Sequence, residues 1–292
     1  MSSFELVRWA LYADLGVLLG VPAAAVLVRA GAVPGTAKRA LLGLAVLALP
    51  LSAAGFLLLV AQMGGTGIGD LDWGLVKELL TGSALGWAFI ARMAALVLAS
   101  VFLASPRIGE RWLWLPSAIA VATLAWTGHA GAGDGSLGLV RLLGDIVHLL
   151  AASTWLGALV LFLIMLIGGG DAGETAEALA RFSGVGSVLV GVLLVTGIGN
   201  LLFLAAPSAW IDLAKGSYGR LLIVKLGLFG AMLGLAALNR FLFVPRLSAS
   251  MAESGAHAGA RHLRLSISAE LALGAAVLLV VASLGQLDPW AM

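Results

Sequence analysis

Residues 139–167 read LVRLLGDIVHLLAASTWLGALVLFLIMLI, an apolar run whose ionisable side chains are Arg141, Asp145 and His148. Its length exceeds the roughly 20 apolar residues that a helix needs to cross a bilayer core. It lacks alternation and far outruns a barrel strand of about 10 residues. The segment is a membrane-spanning helix, and the chain around it is of the same kind. The whole sequence is 61% hydrophobic and 11% charged, against roughly 25% charged in soluble domains, with a mean hydropathy of +1.07.

Further spans are expected at about Leu6 to Val28, Ala40 to Met63, Gly82 to Ala104, Trp112 to Ala130, Phe182 to Ala206, Leu221 to Val244 and Leu265 to Gln286. Helix-ending residues and charge separate them, as at Ser105-Pro-Arg107, Gly168-Gly-Gly-Asp171 and Ala206-Pro207. The expected fold is an all-α membrane protein, a bundle of eight transmembrane helices in a single domain over residues 1–292. The first span carries Glu5, Arg8 and Asp14 and exceeds an h-region of about 7 to 15 residues, so it is not read as a cleavable signal. Between spans, Gly64 to Thr81 has the apolar spacing of a short interfacial helix. Pro245 to Arg264 reads as the longest and most polar loop.

Basic residues set the expected orientation. Arg29, Lys38, Arg39, Arg107, Arg111, Arg181, Arg240, Arg246, Arg261 and Arg264 fall on one side, ten against five (Arg8, Lys77, Arg141, Lys215 and Arg220) on the other. The first side is cytoplasmic, which leaves both termini outside. The pI near 9.3 follows from this topology rather than from nucleic-acid binding.

The chain has no cysteine, so a soft metal could be held only by methionine thioether together with imidazole. Imidazole is costly to bury in lipid, which makes an intramembrane histidine a functional candidate. Two of the four histidines qualify, His129 in AWTGHAGAGDG and His148 in DIVHLLAASTWLG, both toward the outer face. With the helix starting at Leu139, His148 lies about 13 Å along its axis at 1.5 Å per residue. Asp145, one turn earlier, is placed to accept the other imidazole N–H and orient the ring, or to pair with Arg141. Met63 closes the second span beside Gln62 at similar depth to His129 and is the candidate thioether. His257 and His262 fall in the basic loop and are read as solvated.

Charges inside other spans ask for partners, because an unpaired one costs roughly 2.5 to 3.5 kcal/mol at a helix centre. Asp14 and Arg92 enter from the same side to similar depth and are expected to pair. Glu270 and Arg240 are a second expected structural ion pair, and Lys225 can snorkel. Two uses of the histidines stay open at this point. A metal ion could be held transiently at the outer mouth, or haem b could be ligated axially by His129 and His148 from adjoining helices.

The segments TGSALGWAFIARMAAL (81–96), WTGHA (126–130), DIVHLLAASTWLGALV (145–160), RFSGVGSVLVGVLLVTGIGN (181–200), YGRLLIVKLGLFGAMLGLAALNR (218–240) and LRLSISAELALG (263–274) carry a likeness in their order and spacing. The chain resembles the CopD/PcoD-type copper-resistance inner-membrane proteins, the CopD domain also found in YcnJ-type copper importers. The match runs over nearly the whole chain and is densest across 82–286. The resemblance implies copper transport across the bacterial inner membrane, with His129 and His148 as metal-binding residues and a periplasmic CopC-type copper-binding protein as partner. It implies a transporter rather than an enzyme, and the sequence has no GxxxxGK[ST] loop for ATP hydrolysis.

Overall fold

Ser2 and Glu5 start the first helix with reciprocal hydrogen bonds. Glu5 N–H donates to the Ser2 hydroxyl at 3.2 Å and Ser2 N–H to the Glu5 carboxylate at 2.6 Å, a capping box that satisfies two orphan donors. The computed structural model describes residues 2–28, 35–105, 112–127, 135–168, 172–245 and 256–290. The α-helices are α1 (Ser3–Leu27), α2 (Gly35–Met63), α3 (Trp73–Gly82), α4 (Ala84–Ala104), α5 (Trp114–Ala122), α6 (Gly135–Ile167), α7 (Ala172–Leu204), α8 (Trp210–Lys215), α9 (Ser217–Leu238) and α10 (Ala256–Leu284). Seven of them, α1, α2, α4, α6, α7, α9 and α10, are long and apolar enough to cross a membrane. The chain is an all-helical multi-pass membrane protein.

The fourth expected span, Trp112 to Ala130, takes a different form. It is the short α5 followed by a 3-10 turn over Thr123–Thr127. The switch has a local cause at Thr123, whose hydroxyl bonds back to the Ala120 carbonyl at 2.6 Å and thereby competes with the helical ladder. The Thr123 carbonyl is in turn taken by the Arg92 guanidinium at 3.1 Å. Residues 128–130 of that expected span lie outside the described residues.

The helix α1 is the hub, packing against α2, α5, α6 and α10. Lipid tails are as apolar as leucine, so helices in a bilayer associate through close backbone approach rather than by escaping water. The α1–α6 crossing shows this directly. A Cβ added to Gly20 would sit 1.9 Å from the Ser153 carbonyl oxygen, and one on Gly157 would sit 2.0 Å from the Gly20 carbonyl carbon. Only glycine fits on either side of the crossing, and the flanking Ala24 and Ala158 are fully buried.

The remaining spans pack outward from this pair: α7 lies on α6, α9 on α10, and α10 on both α1 and α6. Asp72 caps the short amphipathic α3 by accepting from Gly74 N–H at 2.8 Å and Leu75 N–H at 3.3 Å, so the expected helix in the 64–81 stretch is present. Helix α10 begins at Ala256, inside the stretch expected to be loop up to Arg264. Helix α9 runs on into a π-helical turn over Asn239–Phe243.

Candidate functional site

His148 sits on α6, and because that helix starts at Gly135, earlier than its apolar run suggests, the imidazole lies about 20 Å from the helix start at 1.5 Å per residue. Its Nδ1 is 2.8 Å from the Thr196 hydroxyl of α7. That hydroxyl has one hydrogen, and it is directed at the Val192 carbonyl at 2.7 Å. Thr196 Oγ1 therefore accepts from His148 Nδ1–H, which leaves the lone pair on Nε2. A metal-binding imidazole needs this state, one nitrogen anchored and the other open. Gly197 leaves space beside the ring, where an added Cβ would stand 3.8 Å from His148 Cε1.

A cavity of about 180 Å³ opens at the imidazole, lined among others by Arg141, Asp145, Asn200, Tyr218 and Lys225. Its walls come from α6, α7 and α9, with Leu284 closing it from the end of α10. Asp145 accepts a hydrogen bond from the Asn200 carboxamide. The hydrogen bond that orients His148 thus comes from Thr196, while Asp145 is engaged by Asn200. Arg141 also lines a vestibule of about 620 Å³ shared with Gln62, Gln286 and Asp288.

The other candidates are placed differently. His129 lies outside the described residues. Met63 is 58% exposed at the end of α2 and does not line the His148 cavity, although its neighbour Gln62 lines the vestibule. His262 falls on α10 rather than in a loop and stacks on Phe243 with ring centroids 6.4 Å apart. Among the described residues no cluster of three or more His, Asp or Glu side chains is arranged to hold a metal ion.

Neither expected ion pair forms. Arg92 donates from Nε to the Thr123 hydroxyl at 2.8 Å as well as from Nη2 to the carbonyl, while both Asp14 carboxylate oxygens are buried without a hydrogen-bond partner among the described residues. The 3-10 turn supplies the acceptors that a carboxylate was expected to supply. Arg240 reaches instead across to α7, to the Ser183 carbonyl and the Ser187 hydroxyl. Glu270 accepts from Trp155 Nε1 at 3.1 Å and from Asn239 Nδ2 at 3.0 Å. Neighbouring residues on a helix point about 100° apart, so Asn239 faces α10 while Arg240 faces α7.

The chain matches two family models in succession, "Copper resistance protein D-like, N-terminal domain" over residues 2–139 and "Copper resistance protein D" over residues 176–284. It is 34% identical to Copper resistance protein D of Pseudomonas syringae pv. tomato, with 97% of this chain and 96% of that protein aligned. It is 28% identical to Inner membrane protein YebZ of Escherichia coli (strain K12), over 82% of this chain and 81% of that one. Copper transport protein CutJ of Bacillus subtilis (strain 168) is 32% identical over 85% of this chain but 44% of its own length. No solved structure matches. With His148 held in a polar cavity between α6, α7 and α9, and with 34% identity to a copper-resistance relative over nearly the full length of both, the chain belongs to the copper resistance protein D family.

Proposed function

We propose that this protein passes copper across the bacterial inner membrane, taking the ion at the outer face through His148 and His129. The observation that carries the reading is the Thr196-anchored imidazole whose Nε2 is open toward a small polar cavity. Imidazole is a borderline donor suited to copper. Asp145 can add an oxygen donor or orient a bound ion from the next turn, and Met63 at the outer end of α2 can present a thioether to incoming Cu(I). Arg141 and Lys225 line the same cavity and offset the carboxylate charge. Two cationic side chains against one carboxylate weaken the hold on a bound cation, and conduction requires binding weak enough to release.

The inner-membrane location is supported by the name of the relative YebZ. A periplasmic CopC-type copper-binding protein is the proposed donor or acceptor at the outer mouth. Transport by a single domain over residues 1–292 fits the direct packing of α1 on α10, which joins the two family-model segments, and of α6, most of which lies between them in sequence, on both. Eight crossings with both termini outside are supported by one contact in particular. Arg8, near the start of α1, donates to the Gly285 carbonyl at the end of α10 at 3.2 Å, so the two ends of the bundle's chain meet on one side. That requires an even number of crossings, and α5 with its 3-10 extension supplies one more beside the seven long helices. Nine α residues at 1.5 Å and five 3-10 residues at 2.0 Å reach about 24 Å, most of a hydrocarbon core of about 30 Å.

The volume at His148 favours an ion over haem b. Pockets for organic ligands occupy roughly 300–1,000 Å³, whereas this cavity holds about 180 Å³. The test is copper uptake into proteoliposomes. His148→Ala should abolish uptake and lower bound copper per protein, and His129→Ala should weaken both. Normal binding and uptake in the double variant would overturn the assignment, and an intense Soret absorption in the purified protein would replace it with the haem reading.

A further inference from the structure

A second cavity, about 550 Å³, opens between α6, α7, α9 and α10. It sits toward the opposite end from His148. On α6, Trp155 follows His148 by two turns; on α9, Asn239 follows Lys225 by four; on α10, Glu270 precedes Leu284 by four. The two cavities therefore occupy one seam between the same helices. Between them stand Trp155, packed edge-on to Phe229 with centroids 6.0 Å apart, and the buried Met232, whose Cε is 3.6 Å from where a Cβ on Gly274 would be.

Glu270 is the chemical centre of the inner cavity. It is 1% exposed, and both its hydrogen-bond donors, Trp155 and Asn239, are neutral. An ionised carboxylate in apolar surroundings without a counter-cation is expensive. The neutral acid needs an acceptor for its own proton. Asn239 contains that acceptor: its Oδ1 is buried and lacks a hydrogen-bond partner among the described residues. Turning the carboxamide over by half a rotation would exchange Nδ2 for Oδ1, replacing a donor to the carboxylate with an acceptor from the carboxylic acid. Asn239 also opens the π-helical turn, a backbone irregularity that recurs at functional sites.

We propose that Glu270 is a proton-binding site, loaded and unloaded through the inner cavity, that couples proton movement to the passage of copper. A proton arriving from cavity water adds to Oε2 and leaves a neutral acid. The Asn239 amide turns to accept its hydrogen, and release reverses both steps. The copper half of this statement rests on the transport reading above, whereas the proton half does not.

The charged and titratable groups around Glu270 leave it as the group in contact with the cavity's neutral donors. On α9, the cation Arg240 lines the same cavity as Glu270 but its guanidinium is bonded to the Ser183 carbonyl and the Ser187 hydroxyl on the α7 side, and Lys225 lies at the outer cavity. On α6, His148 is at the outer cavity, and α7 contributes the uncharged Ser183 and Ser187 to the inner lining. On α10, Arg264 donates to the Leu166 carbonyl and His262 stacks on Phe243. From α1, which packs on α10, Arg8 is held at the Gly285 carbonyl, and Asp14 is buried but does not line the Glu270 cavity.

Two measurements on the full chain in liposomes test the two halves. Dicyclohexylcarbodiimide attacks protonated carboxyl groups in apolar sites, so mass spectrometry should find Glu270 modified, with labelling that falls as pH rises. Glu270→Gln should lose that adduct, and Asn239→Leu should move the pH at which labelling falls by about tenfold in proton concentration, the weight of one hydrogen bond to a charged group. An unlabelled Glu270, or labelling indifferent to pH and to Asn239, overturns the proton site. Copper flux should then follow an imposed pH gradient in the wild type and lose that dependence in Glu270→Gln, while copper bound at the outer site is kept. Copper flux that ignores the gradient in the wild type overturns the coupling even if labelling succeeds. Absence of any copper flux sinks the transport reading and the coupling together, with the proton site decided by labelling alone.

Discussion

Thr196 determines what His148 can offer a ligand. Its hydroxyl is pinned to the Val192 carbonyl and accepts from Nδ1, so the imidazole is held in one tautomer and one orientation. Thr196→Val removes the acceptor and frees the ring to rotate. Bound copper per protein should fall about 10- to 100-fold, the usual weight of a residue that orients a metal ligand, while Thr196→Ser should keep most of it. Equal copper binding in the valine and serine variants would show that the ring is oriented by something else. The sequence held a signal for this residue: Thr196 and Asn200 are one turn apart in an otherwise apolar run, so they share a helix face. His148 could be found by the cost of imidazole in lipid. Its partner could not, because a helical threonine can satisfy its hydroxyl on its own backbone, and only the packing of α7 on α6 shows that it also accepts from another helix. Arg92 teaches the converse. Depth matching named Asp14 as its partner, yet a backbone carbonyl and hydroxyl at a helical irregularity are equally good acceptors and no sequence rule marks them. Removing each side chain should therefore have independent effects, a loss at Arg92, whose bonds to Thr123 go, and little or no loss at Asp14, whose carboxylate has no hydrogen-bond partner among the described residues. Arg92→Leu and Asp14→Leu should combine additively in thermal stability of the detergent-solubilised protein, within about 0.5 kcal/mol, and rescue of one by the other would restore the pairing.

Among the elements, the α1–α6 crossing bears the most constraint. Gly20 and Gly157 face each other backbone to backbone, so any side chain must push the helices apart along their most buried contact. Gly157→Ala should lower stability by at least the roughly 1–3 kcal/mol of an overpacked core, read as a fall in unfolding temperature in detergent. Gly43→Ala on α2 has nothing within 4 Å of the new Cβ and should be neutral or slightly stabilising. Equal effects at the two positions would mean that the crossing is not as close as described. The long spans were legible because twenty or more apolar residues have few other fates. Helix ends were less so. Helices α6 and α10 start earlier than their apolar runs, since polar residues outside the membrane can continue a helix that lipid no longer requires. The fourth expected span was legible as apolar but not in its conformation, because no sequence pattern marks the Thr123 hydroxyl that bonds back to Ala120, together with the Arg92 guanidinium from another helix.

For the whole molecule, the side on which His148 opens follows from where the chain ends. Leu284, at the end of α10, lines the His148 cavity, and Gly285 binds Arg8 from the beginning of α1. The start of α1 and the end of α10 therefore meet at the His148 end of the bundle, and the cavity with Glu270 lies toward the other. Which end faces the cytoplasm is set by charge. By the topology expected from the sequence, ten basic residues against five lie on one side, which we propose to be the Glu270 end, and such an excess is expected to stay cytoplasmic. A reporter that works only in the cytoplasm, fused after Met292, should be silent, and one that works only outside should be active. A second fusion within the 246–255 stretch should give the opposite pair of results. Strong cytoplasmic activity after Met292 would turn the molecule over. The imidazole would then meet copper from the cytoplasm, Glu270 would exchange protons with the outside, and the protein would be an exporter's mouth rather than an importer's.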